Sequence, residues 1–206
     1  ILKMVVNQFP LVLIDRIFKG LAVSSISTDN VQAAVLGINH LFDLGHEHIS
    51  ILSPEKESIT TIEDRIKGTI QAFVERKKTV DMDLWISSIN CDYSDENDQR
   101  KCINLIKNHL TKYPKITAFF ALEYNIALLA KKAVEELGLQ IPKDISILCF
   151  DSLPYFQMES FFTHIKQDEE EIGRIAVELL LKMYKGTSSI ENIRLPAKLV
   201  KGNTTA

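Results

Sequence analysis

Apolar residues along this chain alternate between two spacings. The run 11–15 (LVLID) is short and continuous and ends in an acid, as a buried strand can. From Asp29 the spacing changes: Val31, Ala34, Val35, Ile38, Leu41 and Phe42 recur at i, i+3, i+4 and i+7, which predicts an amphipathic helix closed by Gly45. The run 48–52 (HISIL) predicts a second strand, and Ile62, Ile66, Ile70 and Phe73 a second helix. The alternation continues with a strand at 84–89, a helix carrying Cys102, Leu105, Ile106 and Leu110, and a strand at 116–120. A helix at 127–137 follows, stopped by Gly138, and Pro142 leads into a strand at 145–150. Strands joined by helices run parallel, so the pattern predicts an α/β fold with helices on both faces of a parallel sheet.

The tail breaks this rhythm. An extended piece at 163–165 precedes a helix at 170–184 (Ile172, Ile175, Ala176, Leu179, Leu180, Met183) and one or two strands at 193–200 around Pro196. A single doubly wound domain would end at its last strand-helix unit, so a chain that adds these pieces is expected to cross between lobes.

Composition narrows the function classes. The 206 residues are 46% hydrophobic and 25% charged, which suits a globular protein with a substantial core. A net charge of −3, with no cluster of lysine and arginine among aromatics, argues against this chain holding a nucleic-acid backbone by itself. No apolar run reaches the roughly 18 residues that span a bilayer. The opening ILKMVV is too short for an export signal. The cysteines Cys91, Cys102 and Cys149 have no CxxC spacing, and Cys149 reads as a small buried residue, which fits a reducing cytoplasm.

In parallel α/β sheets ligands bind outside the carboxyl ends of the strands. The residues expected there are Asp15 and Arg16, then 54–65, 90–94, 121–125 and 151–155. They include no GxxxxGK, GxGxxG or GxSxG, and none of the five histidines has a ligand partner at metal spacing. Acids, amides, an arginine and aromatics suit a polyol instead. Carboxylates and amides clamp hydroxyls, arginine donates a fork of hydrogen bonds, and a ring covers the C–H face of a sugar. Asp151, at the end of ISILCF, either caps the turn that follows or points into such a cleft.

The order of the segments resembles the effector-binding domain of the lactose-repressor/galactose-repressor family of bacterial transcription regulators, which shares its fold with periplasmic sugar-binding proteins. The resemblance is carried by FPLVLIDR (9–16), STDNVQAAVLGINHLFDLGHEHISIL (27–52) and DRIKGTIQAF (64–73). It continues through ITAFFA (116–121), AVEELGLQIPKDISILCFD (133–151), THIKQDEEEIG (163–173) and LPAKLVKGNTT (195–205). It implies a two-lobed, periplasmic-binding-protein-like fold with parallel sheets flanked by helices and an incomplete first lobe. The first lobe would comprise 1–47 plus 167–194, and the second 48–166 plus 195–206. The DNA-binding headpiece would be absent from this chain.

The resemblance also implies site residues. Arg65 matches an arginine that reaches ligand hydroxyls or a carboxylate, with a surface ion pair at the helix start as its alternative role. Asp151 matches an acid that accepts from ligand hydroxyls, and Tyr93 falls where relatives carry a stacking aromatic. Asp29 matches an acid at the head of the first-lobe helix, where capping that helix is the competing role, and Gln167 sits at a crossing. Where relatives carry an Asn-Asp pair this chain has Glu123 and Tyr124, and Ser152 replaces a second acid, so the pocket should be reshaped.

The function implied is a sugar-sensing repressor domain: a small-molecule effector (a sugar or phosphosugar), operator DNA reached only through the absent headpiece, a homodimer, no cofactor and no membrane. A periplasmic sugar-binding protein of a transport system is the alternative. A hydrolase using Glu123 and Asp151 would need a nucleophile or metal that nothing positions, so the chain is read as a non-enzyme.

Overall fold

The computed structural model describes residues 3–4, 9–15, 20–55, 60–152, 161–186 and 189–206. Two sheets organise them. The smaller has three strands in the order β1-β2-β8, with β1 at Val12–Ile14, β2 at Ser24–Thr28 and β8 at Asn192–Leu195, all parallel. The larger has six, in the order β4-β3-β5-β6-β7-β9: β3 is Ile49–Pro54, β4 Ile86–Ile89, β5 Ala118–Ala121, β6 Ser146–Phe150, β7 Thr163–Lys166 and β9 Lys198–Val200. Its pairings are parallel except β7 with β9.

The middle of the larger sheet is apolar on both faces, which is why β5 (AFFA) and β6 (SILCF) read as near-continuous hydrophobic runs. Side chains alternate along each strand. Phe119, Ala121, Ile147 and Cys149 pack under helices α3 (Glu96–Lys112) and α4 (Tyr124–Glu136), with Ile106, Ala130 and Val134. Ala118, Phe120, Leu148 and Phe150 pack under α1 (Asn30–Asp43) and α2 (Thr60–Glu75), with Ala34, Ile38, Leu41 and Phe73. The helix α5 (Glu169–Tyr184) lies on the smaller sheet, closing Ile26 against Ile172 and Ala176.

Helix ends follow their sequence signals. Asp29 caps α1, its carboxylate accepting from the Gln32 amide at 3.1 Å. Gly45, at φ +92°, ends the same helix, with its own amide and that of His46 bonded to the carbonyls of Phe42 and Leu41.

Two features are not legible in the apolar spacing. Strand β2 (SSIST) is buried along its whole length although four of its five residues are hydroxylated, so it has no apolar signature. Its polar groups are satisfied in place: Ser25 donates to Asn192 at 2.7 Å, Ser24 accepts from the Glu191 amide at 3.1 Å, and Thr28 donates to Gln167 at 2.6 Å. The second concerns α1. Its apolar stripe joins the core of the larger sheet, and the chain leaves the smaller sheet between Thr28 and Asn30. The other passages fall between β7 and α5, and between β8 and β9 across Pro196.

Candidate ligand-binding site

The carboxyl ends of both sheets' strands meet around one guanidinium. Arg65, on α2, is only 6% exposed. Its Nε donates to Asn30 Oδ1 at 2.8 Å, its Nη1 donates to the Leu122 carbonyl at 2.6 Å, and its guanidinium carbon lies 3.8 Å from the centre of the Phe150 ring. Burial pulls its pKa down, and the carboxylates of Asp151, Glu123 and Asp15 oppose that shift.

Those acids come from different strand ends. Asp15 follows β1, Glu123 follows β5 after one intervening residue, Leu122, and Asp151 follows β6. Asp15 and Asp151 adopt left-handed backbone, φ +61° and +66°, a conformation that aspartate and asparagine tolerate better than most residues. Each is fixed by the neighbouring strand, the Asp15 amide bonding to the Ile26 carbonyl and the Asp151 amide to the Ile165 carbonyl, both at 3.0 Å. Asp15 Oδ1 is buried with no hydrogen-bond partner among the described residues. Burial raises the pKa of Asp15, Arg65 lowers it, and Asp151 and Glu169 raise it further. Glu123 occupies the N-cap position of α4 without a side-chain cap bond. Its pKa is raised by burial, lowered by Arg65 and raised by Asp151.

Gln167, at the passage from β7 to α5, ties the sheets together. Its amide donates to Asp151 Oδ1 at 2.8 Å and its carbonyl oxygen accepts from Thr28 at 2.6 Å. Tyr93 stands on the loop after β4, 38% exposed, its hydroxyl pKa pushed up to about 12 by burial and then by Glu123. The Tyr124 ring is turned to the core, edge-on to Phe162 at 5.9 Å. Asp29 turns its carboxylate to its own helix.

The sequence-derived set is therefore divided. Arg65, Glu123, Asp151 and Gln167 come together with Tyr93 beside them, whereas Asp29 and Tyr124 serve their own helix and core. Asp15 was placed at a strand end but not among the site residues, and Asn30 was not singled out at all. Asp15 carried a readable signal, an acid closing an apolar run as Asp151 does. Arg16, 56–59 and 153–160 lie outside the described residues.

No metal-binding group of three or more His, Cys, Asp or Glu occurs among the described residues, and no helix there is long and apolar enough to cross a membrane. A hollow of about 570 Å³ lies at the opposite, amino edge of the larger sheet, lined by Glu47, His48, Lys78, Asp81 and Lys115 among others. Strand chemistry favours the acid-lined edge over this hollow, because the open end of a parallel sheet gathers side chains from several strands. A smaller hollow of about 240 Å³ borders the crossing at Gln167, Asp168 and Pro196.

Comparison with known proteins agrees with this architecture. A model of the family described as periplasmic binding protein-like domain matches residues 38–205. The HTH-type transcriptional repressor MelR of Bacillus subtilis is 30% identical over 186 residues, covering 87% of this chain and 52% of the relative. The ribose operon repressor of Haemophilus influenzae is 29% identical, covering 91% of this chain and 54% of the relative. Among solved structures, a LacI family transcriptional regulator from Enterococcus faecium with bound ribose superposes with a TM-score of 0.78 at 24% identity, over 98% of this chain and 73% of that one, a likeness of fold. The chain spans about half the length of the curated relatives it matches.

Proposed function

Because the chain belongs to the periplasmic binding protein-like domain family, as the effector-binding domain of a lactose-repressor-type regulator, we propose that it senses a sugar or sugar derivative for a transcriptional repressor. The observation that carries this reading is the convergence of Asp15, Glu123 and Asp151 around the buried Arg65, at the carboxyl ends of strands from both sheets. We read the two sheets as two lobes. They are joined where the chain passes at 28–30, 166–169 and 195–198, and the ligand cleft lies between them.

The mechanism follows from that joint. A polyol held by acids of both lobes favours the arrangement in which they are close, and shifts the population toward it. In the whole regulator that shift would change the spacing of two DNA-binding headpieces in a dimer, a coupling of about 1–3 kcal/mol. The exposed apolar positions of α5, Val177, Leu181 and Tyr184, suit a surface covered in such an assembly. A regulator of this kind works in the cytoplasm and catalyses nothing.

Thermal melts of the protein against pentoses, hexoses, disaccharides and amino sugars test the reading. Saturation at about 100 times Kd adds about 2.7 kcal/mol, a rise of roughly 5–10 °C for a chain of this size. Asp151→Asn, which suits the left-handed backbone, should weaken that ligand about tenfold or more. A full set of sugars that leaves the melting point unmoved would sink the proposal.

A further inference from the structure

The charge of the cleft points to a narrower class of effector. We infer that the effector carries a protonated amine on a hydroxylated frame, as an amino sugar does, and that Asp15 selects it. This rests on the sensing function proposed above, and the position of the site rests on the sheet edges and the family, not on the acids themselves.

The inference comes from matching donors to acceptors. Among the described residues the cation that faces the acids is Arg65, and it is already engaged by Asn30, by the Leu122 carbonyl and by the Phe150 ring. Asp151 has one oxygen occupied by Gln167. Glu123 has no cap bond to its helix, and Asp15 has a buried oxygen with no hydrogen-bond partner among the described residues. Among the described residues, then, the cleft holds carboxylate acceptors in excess of donors, and negative charge in excess of positive. Glu169, close enough to act on Asp15, adds to the imbalance.

A ligand that complements such a surface brings donors and positive charge. A hydroxyl offers one donor and no charge, whereas an ammonium offers three donors and a full charge, and hydrogen bonds between ionised groups are the stronger kind. A phosphate or carboxylate would face like charge. The raised pKa values of Asp15 and Glu123 have the same origin, since burial without enough compensating charge disfavours ionisation. The resemblance to sugar-responsive regulators implied a sugar or phosphosugar. The arrangement of these acids argues against the phosphosugar.

The test is a ratio measured on the unaltered chain by calorimetry and thermal melts with matched pairs: D-glucosamine with D-glucose, D-galactosamine with D-galactose, and D-glucamine with D-glucitol, with D-glucose 6-phosphate as the anion. The amine of at least one pair should bind about tenfold or more tighter than its hydroxyl partner, and the phosphate should not bind. Asp15→Asn keeps the size of the side chain and accepts the left-handed backbone, and should bring that pair to within about twofold. The inference is overturned if a neutral or phosphorylated sugar binds as tightly as every amine, or if Asp15→Asn leaves the ratio unchanged. If no probe of any kind binds, the sensing function itself fails, and the inference with it.

Discussion

Arg65 shows how one residue can be recognisable in sequence while its partners are not. Its place in the motif was legible; its commitment to Asn30 and to the Leu122 carbonyl was not, because both contacts span long stretches of chain. Replacing it by methionine would leave those acceptors short of a donor and the nearby acids without their cation. Arg65→Met should therefore cost about 3 kcal/mol in urea unfolding, apart from any effect on ligand. Asp15 supports a prediction with a definite sign. Burial holds its folded pKa above the unfolded value, so its contribution to stability is present below the ordinary aspartate range and is lost as pH rises through the raised native value. Glu123 acts in the same direction, and so does not cancel it. Compared with the parent chain across that window, Asp15→Asn should lose less stability as pH rises and be the more stable protein at neutral pH. Denaturant melts at a series of pH values check this, and an identical pH profile for the two proteins would refute it.

Among the elements, those with a clean period were legible and those without one were not. The helices α1, α2 and α5 and the strands of the larger sheet follow from apolar spacing. Strand β2 does not, because its hydroxyl groups find partners only after β8 and Gln167 have come alongside. The strand expected at 84–89 divides into a 3-10 turn, Met82–Leu84, and β4, with Asp81 accepting from the Asp83 amide to start the turn. Gly68 decides how closely α1 and α2 approach. A Cβ added there would stand 2.1 Å from the Val31 carbonyl oxygen and 2.9 Å from the Ala34 Cβ, and the nearer of these is rigid helix backbone. Gly68→Ala should cost about 1–3 kcal/mol or more in chemical unfolding, through overpacking that outweighs the gain in helix propensity.

At the scale of the molecule, the sequence suggested a chain that crosses between two bodies, and the tail carried that signal. The position of the first passage is not legible from spacing, because α1 is apolar along one stripe whichever sheet it covers, and periodicity does not say which. Only contacts with Phe120, Leu148 and Phe150 do. Gln167 bridges two of these passages, so removing its amide should loosen the joint while sparing both cores. Gln167→Leu should cost about 1–2 kcal/mol of stability and weaken ligand binding more than a neutral change at an exposed site such as Lys185, read by calorimetry. The left-handed corners at Asp15 and Asp151 have a consequence of their own. Each closes a strand, sits at nearly the same φ and donates its amide to the next strand of its own sheet, so the acid-lined edge carries one backbone device twice. A substitution that retunes one copy leaves the backbone of the other intact. If the proposed sensing function holds, descendants of such a protein can therefore change their ligand preference in halves, one corner altered while its twin is kept.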